Sequence, residues 1–429
     1  MSWNDDLDPG SAVYRLASSK NNVIRSLAGP GSGKSYAIKK RIERLLEENI
    51  SSNKILAVTF TRTAAADLRK DIDEIEVAGA TEVDARTVHS HAFRLIMSNE
   101  ILQTTGRHSR VLIDHEIEPA IRDINIDDFD IKKKKKLLTG YLAAWAKMQH
   151  DTPGYAQNEI QIEFEEELIK WLKYHKCMLI GEAIAIAIEY LKNNPLSPEI
   201  GKYECILVDE YQDLNKSEQE YIRYIKGDSD IIIVGDDDQS IYSFKYAFPD
   251  GIRTIRETYG AFEDITFDVS RRCPQLVTRM ASELISKNPG RSLGELIPFD
   301  ENQEGIVNII QWDSFNDEID GIEQLIKKVI INKEVEPKDI LVLTPRRKIG
   351  YKLRDSLIVD DVPVKSFFRE SCITNEKTRN AYSLIQLLAR PDDLPSLRFL
   401  LGVGSPDYRK NSYERLKQES FKLGISIRE

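Results

Sequence analysis

Short apolar runs rich in β-branched residues alternate, in the first part of the chain, with longer segments whose apolar positions recur at helical spacing. Three of the runs are NVIRSLA, ending at Ala28, ECILVDE, ending at Glu210, and IIIVG, ending at Gly235. Each run predicts a buried strand, whereas YAIKKRIERLLEEN, which begins at Tyr36, predicts a helix. Such alternation predicts an α/β domain in which helices cover both faces of a parallel sheet.

Composition limits the class of protein. Of the 429 residues, 41% are hydrophobic and 30% are charged, which is typical of a chain that buries a core. No apolar run approaches the ~20 residues that cross a bilayer, and the N-terminus MSWNDDLDPG lacks the basic start and apolar middle of a secretory signal. We therefore expect a cytoplasmic protein with no membrane partner.

Net charge and cysteine usage say little about the partners of the protein. The net charge of −10 does not exclude a nucleic-acid partner, because phosphate binding needs only a local basic surface. The cysteines stand singly along the chain, at Cys177, Cys205, Cys273 and Cys372. Metal–thiolate sites need clustered ligands, so buried or incidental thiols are the better interpretation.

A glycine-rich loop joins the first predicted strand to the first long predicted helix. Its residues are Ala28, Gly29, Pro30, Gly31, Ser32, Gly33, Lys34 and Ser35. Strand, glycine loop, Lys-Ser and helix follow one another as in the Walker A phosphate loop, whose backbone N–H groups and helix N-terminus face phosphate. We expect Lys34 to contact the β- and γ-phosphates of ATP and Ser35 to bind Mg²⁺. The alternative is a glycine turn that binds no nucleotide.

Two carboxylates end the second of the three strand-like runs. Asp209 stands where a magnesium ion at a phosphate loop needs its second protein ligand, and Glu210 is the natural general base for the attacking water. An acidic turn that caps the next helix, NKSEQEYIRYIKG, explains the same residues about as well.

The third run leads into a loop of unusual composition, DDDQSIYSFK, which begins at Asp236. A glutamine there could contact phosphate while the aromatic rings contact a base, which would couple ATP to nucleic acid. Further along, Arg271 and Arg272 follow the strand-like DITFDVS. An arginine near the γ-phosphate would stabilise the charge of phosphoryl transfer, although a surface arginine pair is the commoner arrangement.

Six motifs together resemble the superfamily 1 helicases similar to UvrD, Rep and PcrA. They are LAGPGSGKS, LAVTFTRTAAADLRKDI, TVHSHAF, ILVDEYQDLN, IIIVGDDDQSIYSFKYA and SRRCP, in the family's order, and the resemblance extends from about Leu7 to the C-terminus. It implies a RecA-like P-loop NTPase motor that uses ATP and Mg²⁺. It also implies a DNA helicase that moves 3′ to 5′ along single-stranded DNA or DNA with single-stranded regions.

The resemblance implies a role for individual residues. Lys34 and Ser35 would hold the phosphates and Mg²⁺, Asp209 would support the metal, and Glu210 would activate water. Gln239 would sense the γ-phosphate and Arg272 would act as an arginine finger. Tyr36 falls where the family contacts adenine. The positions that match DNA contacts are Thr59, Phe60, Arg62, His89, Tyr242, Phe244 and Lys245. Stacking of bases on rings is sequence-tolerant, as a translocase requires, but core packing is the alternative for Phe60 and Phe244.

The resemblance also implies an organisation of the chain. The first motor domain is predicted to comprise residues 1–95 and 201–271, with a helical insertion over 96–200. Residues 272–390 would form a partial second RecA-like domain, with strands at DILVLTPRR and VPVKSFF, and 391–429 would begin an inserted subdomain.

The sequence departs from the family pattern at several places. LDPGSAVYRLAS contains no glutamine where the family has an adenine-reading one, Arg271 stands where an aromatic residue is common, and the later motifs of the second motor domain are not found. The second hypothesis is therefore an ATP- and DNA-binding regulatory subunit without unwinding activity, with a protein partner that supplies or regulates the missing function. An RNA-directed enzyme is a third, weaker one. Five lysines, 132–136, are expected to be a solvated run or a phosphate contact.

Overall fold

The computed structural model describes residues 2–98, 101–102, 108, 110–126, 129–149, 158–366, 373 and 375–428. The chain packs into two compact units. One consists of Met1–Gly305 together with Ser383–Glu429, and the other is Ile306–Tyr382. These units are defined by packing, so the assignment of motor domains and inserted subdomains remains a prediction.

Six parallel strands form the sheet of the first unit. They are β1 (Val23–Ala28), β2 (Ile55–Thr59), β3 (Asp84–Thr87), β4 (Cys205–Val208), β5 (Asp230–Gly235) and β6 (Glu263–Phe267), in the spatial order β3-β2-β4-β5-β1-β6. In the register, Val23 of β1 lies opposite Ile231 of β5, and Ile24 lies opposite Glu263 of β6. A second pair of parallel strands, β7 (Val269–Ser270) and β8 (Ile297–Pro298), follows.

Helices alternate with these strands. In chain order they are α1 (Ala12–Ser18), α2 (Lys34–Glu47), α3 (Arg62–Asp73), α4 (Val88–Ile96), α5 (Asp114–Asp123), α6 (Ile131–Lys147), α7 (Glu159–Tyr174), α8 (Glu182–Asn193), α9 (Lys216–Lys226), α10 (Asp250–Arg253), α11 (Ile255–Tyr259), α12 (Gln275–Ile285), α13 (Phe315–Ile331), α14 (Arg347–Val359), α15 (Glu376–Ala389), α16 (Leu394–Gly402) and α17 (Lys410–Leu423). Short 3₁₀ turns lie at Ser52–Lys54, Ala80–Glu82, Tyr211–Asp213, Asp237–Gln239, Ser243–Lys245 and Pro337–Asp339. Within the described ranges, no helix is long and apolar enough to span a membrane.

Both faces of the main sheet are covered. Along β5, Ile231 and Ile233 belong to a core that α4, α8 and α9 cover, whereas Ile232 and Val234 belong to a core that α1, α2 and α3 cover. Successive side chains of a strand point to opposite faces, so a run without polar residues is buried on both sides. The predicted α/β class, a RecA-like parallel sheet between helical layers, is confirmed.

Helix α1 is fixed to α2 by two buried arginines. The guanidinium of Arg41 donates to the carbonyl oxygens of Ala17 and Ser19, and that of Arg44 donates to the same two at 2.8 and 3.0 Å. The last carbonyls of a helix have no intrahelical partner, so these side chains from α2 satisfy the C-terminal end of α1.

Helices α5, α6 and α7 share a third core, which includes Trp145, Phe164 and Trp171. The C-terminal helices α16 and α17 pack on α5, and two buried ion pairs lie at α16 and its N-cap. The Arg398 guanidinium donates to both carboxylate oxygens of Asp123 at 2.7 and 2.6 Å, and Arg110 does the same with Asp393 at 2.7 and 3.1 Å. Buried charges of opposite sign therefore join α5 and the residues before it to the C-terminal segment.

The second unit is small and mostly helical. Ile319 and Ile326 of α13 pack against Leu353 and Leu357 of α14. The predicted strand at DILVLTPRR is not formed, and the described part of VPVKSFF, residues 362–366, is not in a strand either. An extended segment becomes a strand only when its backbone pairs with a neighbour, and the side chain of Leu343 is 83% exposed.

Candidate nucleotide and nucleic-acid site

The glycine-rich loop lies between the end of β1 and the start of α2, as the sequence predicts. Gly31 has φ +69° and Gly33 has φ +98°, a conformation that side chains with a Cβ rarely adopt. A Cβ on Gly31 would also lie 2.8 Å from the Cβ of Arg272. Gly33 caps α2 without a side-chain hydrogen bond, so the first N–H groups of a long helix are available to an anion.

Lys34 and Glu210 meet across this loop. The Lys34 Nζ donates to Glu210 Oε1 at 2.6 Å, and both side chains are mostly buried. Glu210 has φ +52°, a left-handed conformation that costs energy for a residue with a side chain. The 3₁₀ turn Tyr211–Asp213 begins directly after it, which turns the Glu210 carboxylate toward the phosphate loop.

Two further carboxyl groups lie nearby, and burial perturbs both. Desolvation raises the pKa of Asp209 to about 6, and the neighbouring Glu210 charge acts in the same direction. Desolvation likewise raises the pKa of Asp213 to about 7, and among the described residues its Oδ1 has no hydrogen-bond partner. A buried carboxylate without a cation is costly, so this group of acids is suited to a site that receives positive charge.

The donor atoms fit a magnesium ion. Ser35 contributes a hydroxyl at the start of α2, and Asp209 contributes a carboxylate at the end of β4. Oxygen ligands from one or two protein groups, completed by water and phosphate oxygens, are the usual protein environment of Mg²⁺. Within the described residues, no cluster of three or more His, Cys, Asp or Glu side chains could hold a metal ion by itself.

Gln239 ends a 3₁₀ turn that follows β5. Its Nε2 donates to Asp236 Oδ2 at 2.8 Å, and the other Asp236 oxygen accepts from the Asp238 N–H at 3.0 Å. Two ion pairs hold the turn in place: the buried Asp237 carboxylate pairs with Arg253 at 2.7 Å, and Asp238 pairs with Arg291 at 2.6 Å. The three successive carboxylates of this loop thus fix the shape and position of the turn.

The arginine pair lies directly on the phosphate loop. The Arg271 N–H donates to the Gly31 carbonyl at 2.9 Å, and the Ser270 hydroxyl donates to the Pro30 carbonyl at 2.8 Å. The Arg272 side chain is beside Gly31, whereas the Arg271 guanidinium stacks on the Phe299 ring at 4.4 Å. Arg272 is therefore the arginine whose side chain lies against the phosphate loop, and Arg271 has a ring partner within the chain.

Tyr36 is 41% exposed at the start of α2. Its hydroxyl donates to Asp6, which also pairs with Lys40 at 2.9 Å. Hydrogen bonds from Tyr36 and Lys40 lower the pKa of Asp6. The ring is thus held by the N-terminal segment, with a face open to solvent at the edge of the phosphate loop.

A row of neighbouring aromatic rings connects the segment after the Gln239 turn with Phe60, which directly follows β2. The Phe60 and Tyr242 ring centroids are 5.2 Å apart, and those of Tyr242 and Phe244 are 5.8 Å apart. The Lys245 Nζ lies 5.0 Å from the Phe60 centroid and 5.3 Å from that of Tyr242, within cation–π range. Phe244 is 70% exposed, so core packing is excluded for it, whereas Phe60 packs partly against the sheet's core. We call Phe60, Tyr242, Phe244 and Lys245 the aromatic strip.

The remaining predicted DNA contacts differ in accessibility. The side chain of Thr59 is fully buried, and its hydroxyl finds no hydrogen-bond partner in the part of the chain that the structure describes. Arg62 is exposed at the first turn of α3. His89 lies at the start of α4, where its Nδ1 is 2.7 Å from Glu218 Oε1. Burial lowers the pKa of His89, but the hydrogen bond and charge of Glu218 outweigh it, so the net pKa is raised.

One residue of the site was missed by the sequence analysis. Gln212 is buried between the acidic motif and the loop after β5, with hydrogen bonds to Glu210 and to the backbone of Asp236. Its position two residues after Glu210 gave no signal, because the contact depends on the left-handed turn at Glu210.

Comparisons with known proteins identify the family of the chain. The sequence profile of the UvrD/REP helicase N-terminal domain matches residues 12–260, more than half of the chain. The ATP-dependent DNA helicase PcrA of Staphylococcus epidermidis RP62A is 22% identical over 439 residues, which cover 97% of this chain and 59% of that protein. PcrA of Staphylococcus aureus Mu50 is 22% identical over 417 residues, covering 94% of this chain and 56% of its own length. The chain thus spans less than two thirds of these relatives, and by its profile match it belongs to the UvrD/REP helicase family.

Proposed function

We propose that this protein is an ATP-driven motor that moves 3′ to 5′ along single-stranded DNA and separates strands. The observation that carries the proposal is that the nucleotide site and the aromatic strip adjoin each other along the chain. The turn that ends at Gln239, beside the phosphate loop, leads within three residues to Tyr242 of the aromatic strip. A change at the nucleotide therefore has a short covalent route to rings that can stack on bases.

The residues around the loop have complementary roles in hydrolysis. Lys34 and the N–H groups of α2 bind phosphate, while Ser35 and Asp209 would hold Mg²⁺, which when bound neutralises phosphate charge. Glu210 accepts the proton of the attacking water. Arg272, beside Gly31, stabilises the charge that develops on the transferred phosphoryl group.

The aromatic strip supports a single-stranded partner. Stacking on a ring contributes about 1–3 kcal/mol per base and does not depend on sequence, and Lys245 adds a positive charge that a phosphate can use. A base pair in a duplex leaves no ring face free to stack. An exposed ring such as Phe244 therefore favours unpaired bases.

The test measures ATP hydrolysis by the purified chain with and without single-stranded DNA. We expect stimulation by DNA, and Glu210→Gln should abolish turnover while ATP binding persists. Phe244→Ala should weaken single-stranded DNA affinity about 5- to 150-fold, the equivalent of one lost stack. Phe421→Ala is the matched control, because Phe421 is 66% exposed but lies in α17, far along the chain from the strip.

Other outcomes would reject the motor. ATP binding without turnover, in the presence of DNA, would favour the regulatory subunit. Equal stimulation by RNA and DNA of the same sequence would remove the DNA assignment. A strand-displacement assay on duplexes with either a 3′ or a 5′ single-stranded tail tests direction, and unwinding from the 5′ tail alone would contradict the proposed polarity.

A further inference from the structure

Gln212 connects the two halves of the nucleotide site through a single amide. Its Nε2 donates to Glu210 Oε2 at 2.8 Å, and its Oε1 accepts from the backbone N–H of Asp236 at 3.0 Å. The amide orientation is fixed chemically, since a backbone N–H can only donate and so requires the oxygen. The nitrogen must then face Glu210. The side chain is 1% exposed, so water cannot replace either partner.

Each end of this amide leads to a residue with a proposed role. The second oxygen of the Glu210 carboxylate accepts from Lys34 at 2.6 Å, so the carboxylate is held from both sides. At the other end, Asp236 accepts from Gln239 Nε2 at 2.8 Å. Separately, the backbone carbonyl of Gln212 accepts from the Ser240 hydroxyl at 3.3 Å. Hydrogen bonds thus run without interruption from Glu210 through Gln212 to the Gln239 turn.

The backbone leaves room for this arrangement at Gly235. A Cβ there would lie 2.3 Å from Gln212 Oε1, closer than any real contact, so only glycine lets the amide reach the Asp236 N–H. Gly235 is the last residue of β5, and its Cβ would also lie 3.0 Å from Ile252 Cδ1, a looser contact than the one with the amide oxygen. The glycine is therefore required by the glutamine.

We infer that Gln212 is a positioning residue that aligns the Glu210 carboxylate according to the position of the Gln239 turn. A displacement of that turn moves the Asp236 N–H, and with it the amide that holds Glu210 Oε2. The aromatic strip begins three residues beyond Gln239, so DNA on the strip acts on the general base through this amide. The inference rests on the proposed function for the role of Glu210, but the hydrogen-bonded chain stands independently of it.

The decisive variant is Gln212→Glu, which keeps the size and the acceptor for the Asp236 N–H but replaces the donor to Glu210 with a second carboxylate. We expect kcat for DNA-stimulated ATP hydrolysis to fall about 10- to 100-fold, with the KM for ATP changed less than about threefold. Gln212→Asn, which retains an amide one methylene shorter, should recover part of the loss.

Gln219→Glu is the matched control. Gln219 is also a buried glutamine, whose Nε2 donates to the carbonyls of Tyr211, Leu214 and Phe248, and no hydrogen bond joins it to Glu210 within the described residues. Its replacement damages the same region without touching the base. A kcat loss equal to that of Gln212→Glu at equal stability would overturn the inference. So would a Gln212→Glu kcat within threefold of wild type.

A second measurement needs no turnover. In the double variant Gln212→Glu with Glu210→Gln, the amide at position 210 can donate to the carboxylate at position 212, which reverses the wild-type hydrogen bond. The double variant should therefore unfold at a higher urea concentration than the sum of the two single effects predicts. Additive effects would overturn the inference. If wild type shows no DNA-stimulated hydrolysis while the coupling is present, the proposed function fails and the positioning contact remains.

Discussion

The ion pair between Arg398 and Asp123 allows a quantitative test of how the C-terminal helices are attached. The Arg398 side chain has no exposed surface and Asp123 is 6% exposed. Arg398→Met removes two hydrogen bonds to the carboxylate and one, of 2.9 Å, to the Tyr408 carbonyl. Asp123 then keeps the Trp171 indole donor at 3.0 Å. Leaving such a charge buried costs about 3–5 kcal/mol, so we expect that loss of unfolding free energy.

Adding Asp123→Asn should recover part of the loss, because the uncompensated charge is removed. The pair should therefore be non-additive by about 1.5 kcal/mol or more. Lys422→Met is the control, since its 2.6 Å pair with Glu419 is exposed and should contribute less than about 1 kcal/mol.

Urea unfolding followed by tryptophan emission measures these changes. A Trp3→Phe and Trp312→Phe background leaves Trp145 and Trp171, which report on the core shared by α5, α6 and α7. Arg398→Met that costs less than about 1 kcal/mol, or additivity with Asp123→Asn, would refute the view that this buried pair holds α16 to α5.

Three further predictions concern stability. Burial lowers the pKa of His175 from 6.5 to about 3, so as the pH falls the unfolded chain takes up the proton before the folded chain does. The contribution of His175 to the unfolding free energy should be complete above about pH 6.5 and fall toward pH 3 by up to about 1.4 kcal/mol per pH unit. Urea titrations at several pH values should show a smaller slope for His175→Phe. Gly251→Ala should destabilise the protein by about 1–3 kcal/mol, because the added Cβ would lie 1.8 Å from Gln219 Oε1. Gly140→Ala should stabilise it in the same thermal melt, because Gly140 lies in a helix and its Cβ would meet no neighbouring atom of the described residues within 4 Å. Lys134→Glu should lower the melting temperature, because the Lys134 Nζ is buried against the Ile124 carbonyl at 2.6 Å; an unchanged melt with weaker DNA binding would show a phosphate contact instead.

The elements of the sheet were predictable because their signals are local. The strand before Gly29 and the helix from Lys34 appear where the apolar runs and the glycine loop place them. Packing between distant segments gave no such signal. Arg398 and Asp123 are separated by 275 positions, and neither stands in a recognisable motif.

Other sequence patterns were only partly informative. The lysine run, expected to be a solvated charge run or a phosphate contact, lies in α6, where four of its five lysines are exposed and Lys134 is buried. The apolar segment around Leu343 was expected to be a strand, but pairing depends on neighbours that local composition does not encode.

The arginines that hold the end of α1 have a practical consequence for protein production. Shortening the chain past Ser19 would remove the carbonyl oxygens to which Arg41 and Arg44 donate. Arg44 would keep its ion pair with Glu48, but Arg41, in the helix that carries Lys34, would lose these buried hydrogen bonds. An expression clone trimmed to begin at the first strand should therefore be recovered poorly or bind nucleotide weakly. An affinity tag fused ahead of Ser2 leaves those bonds in place.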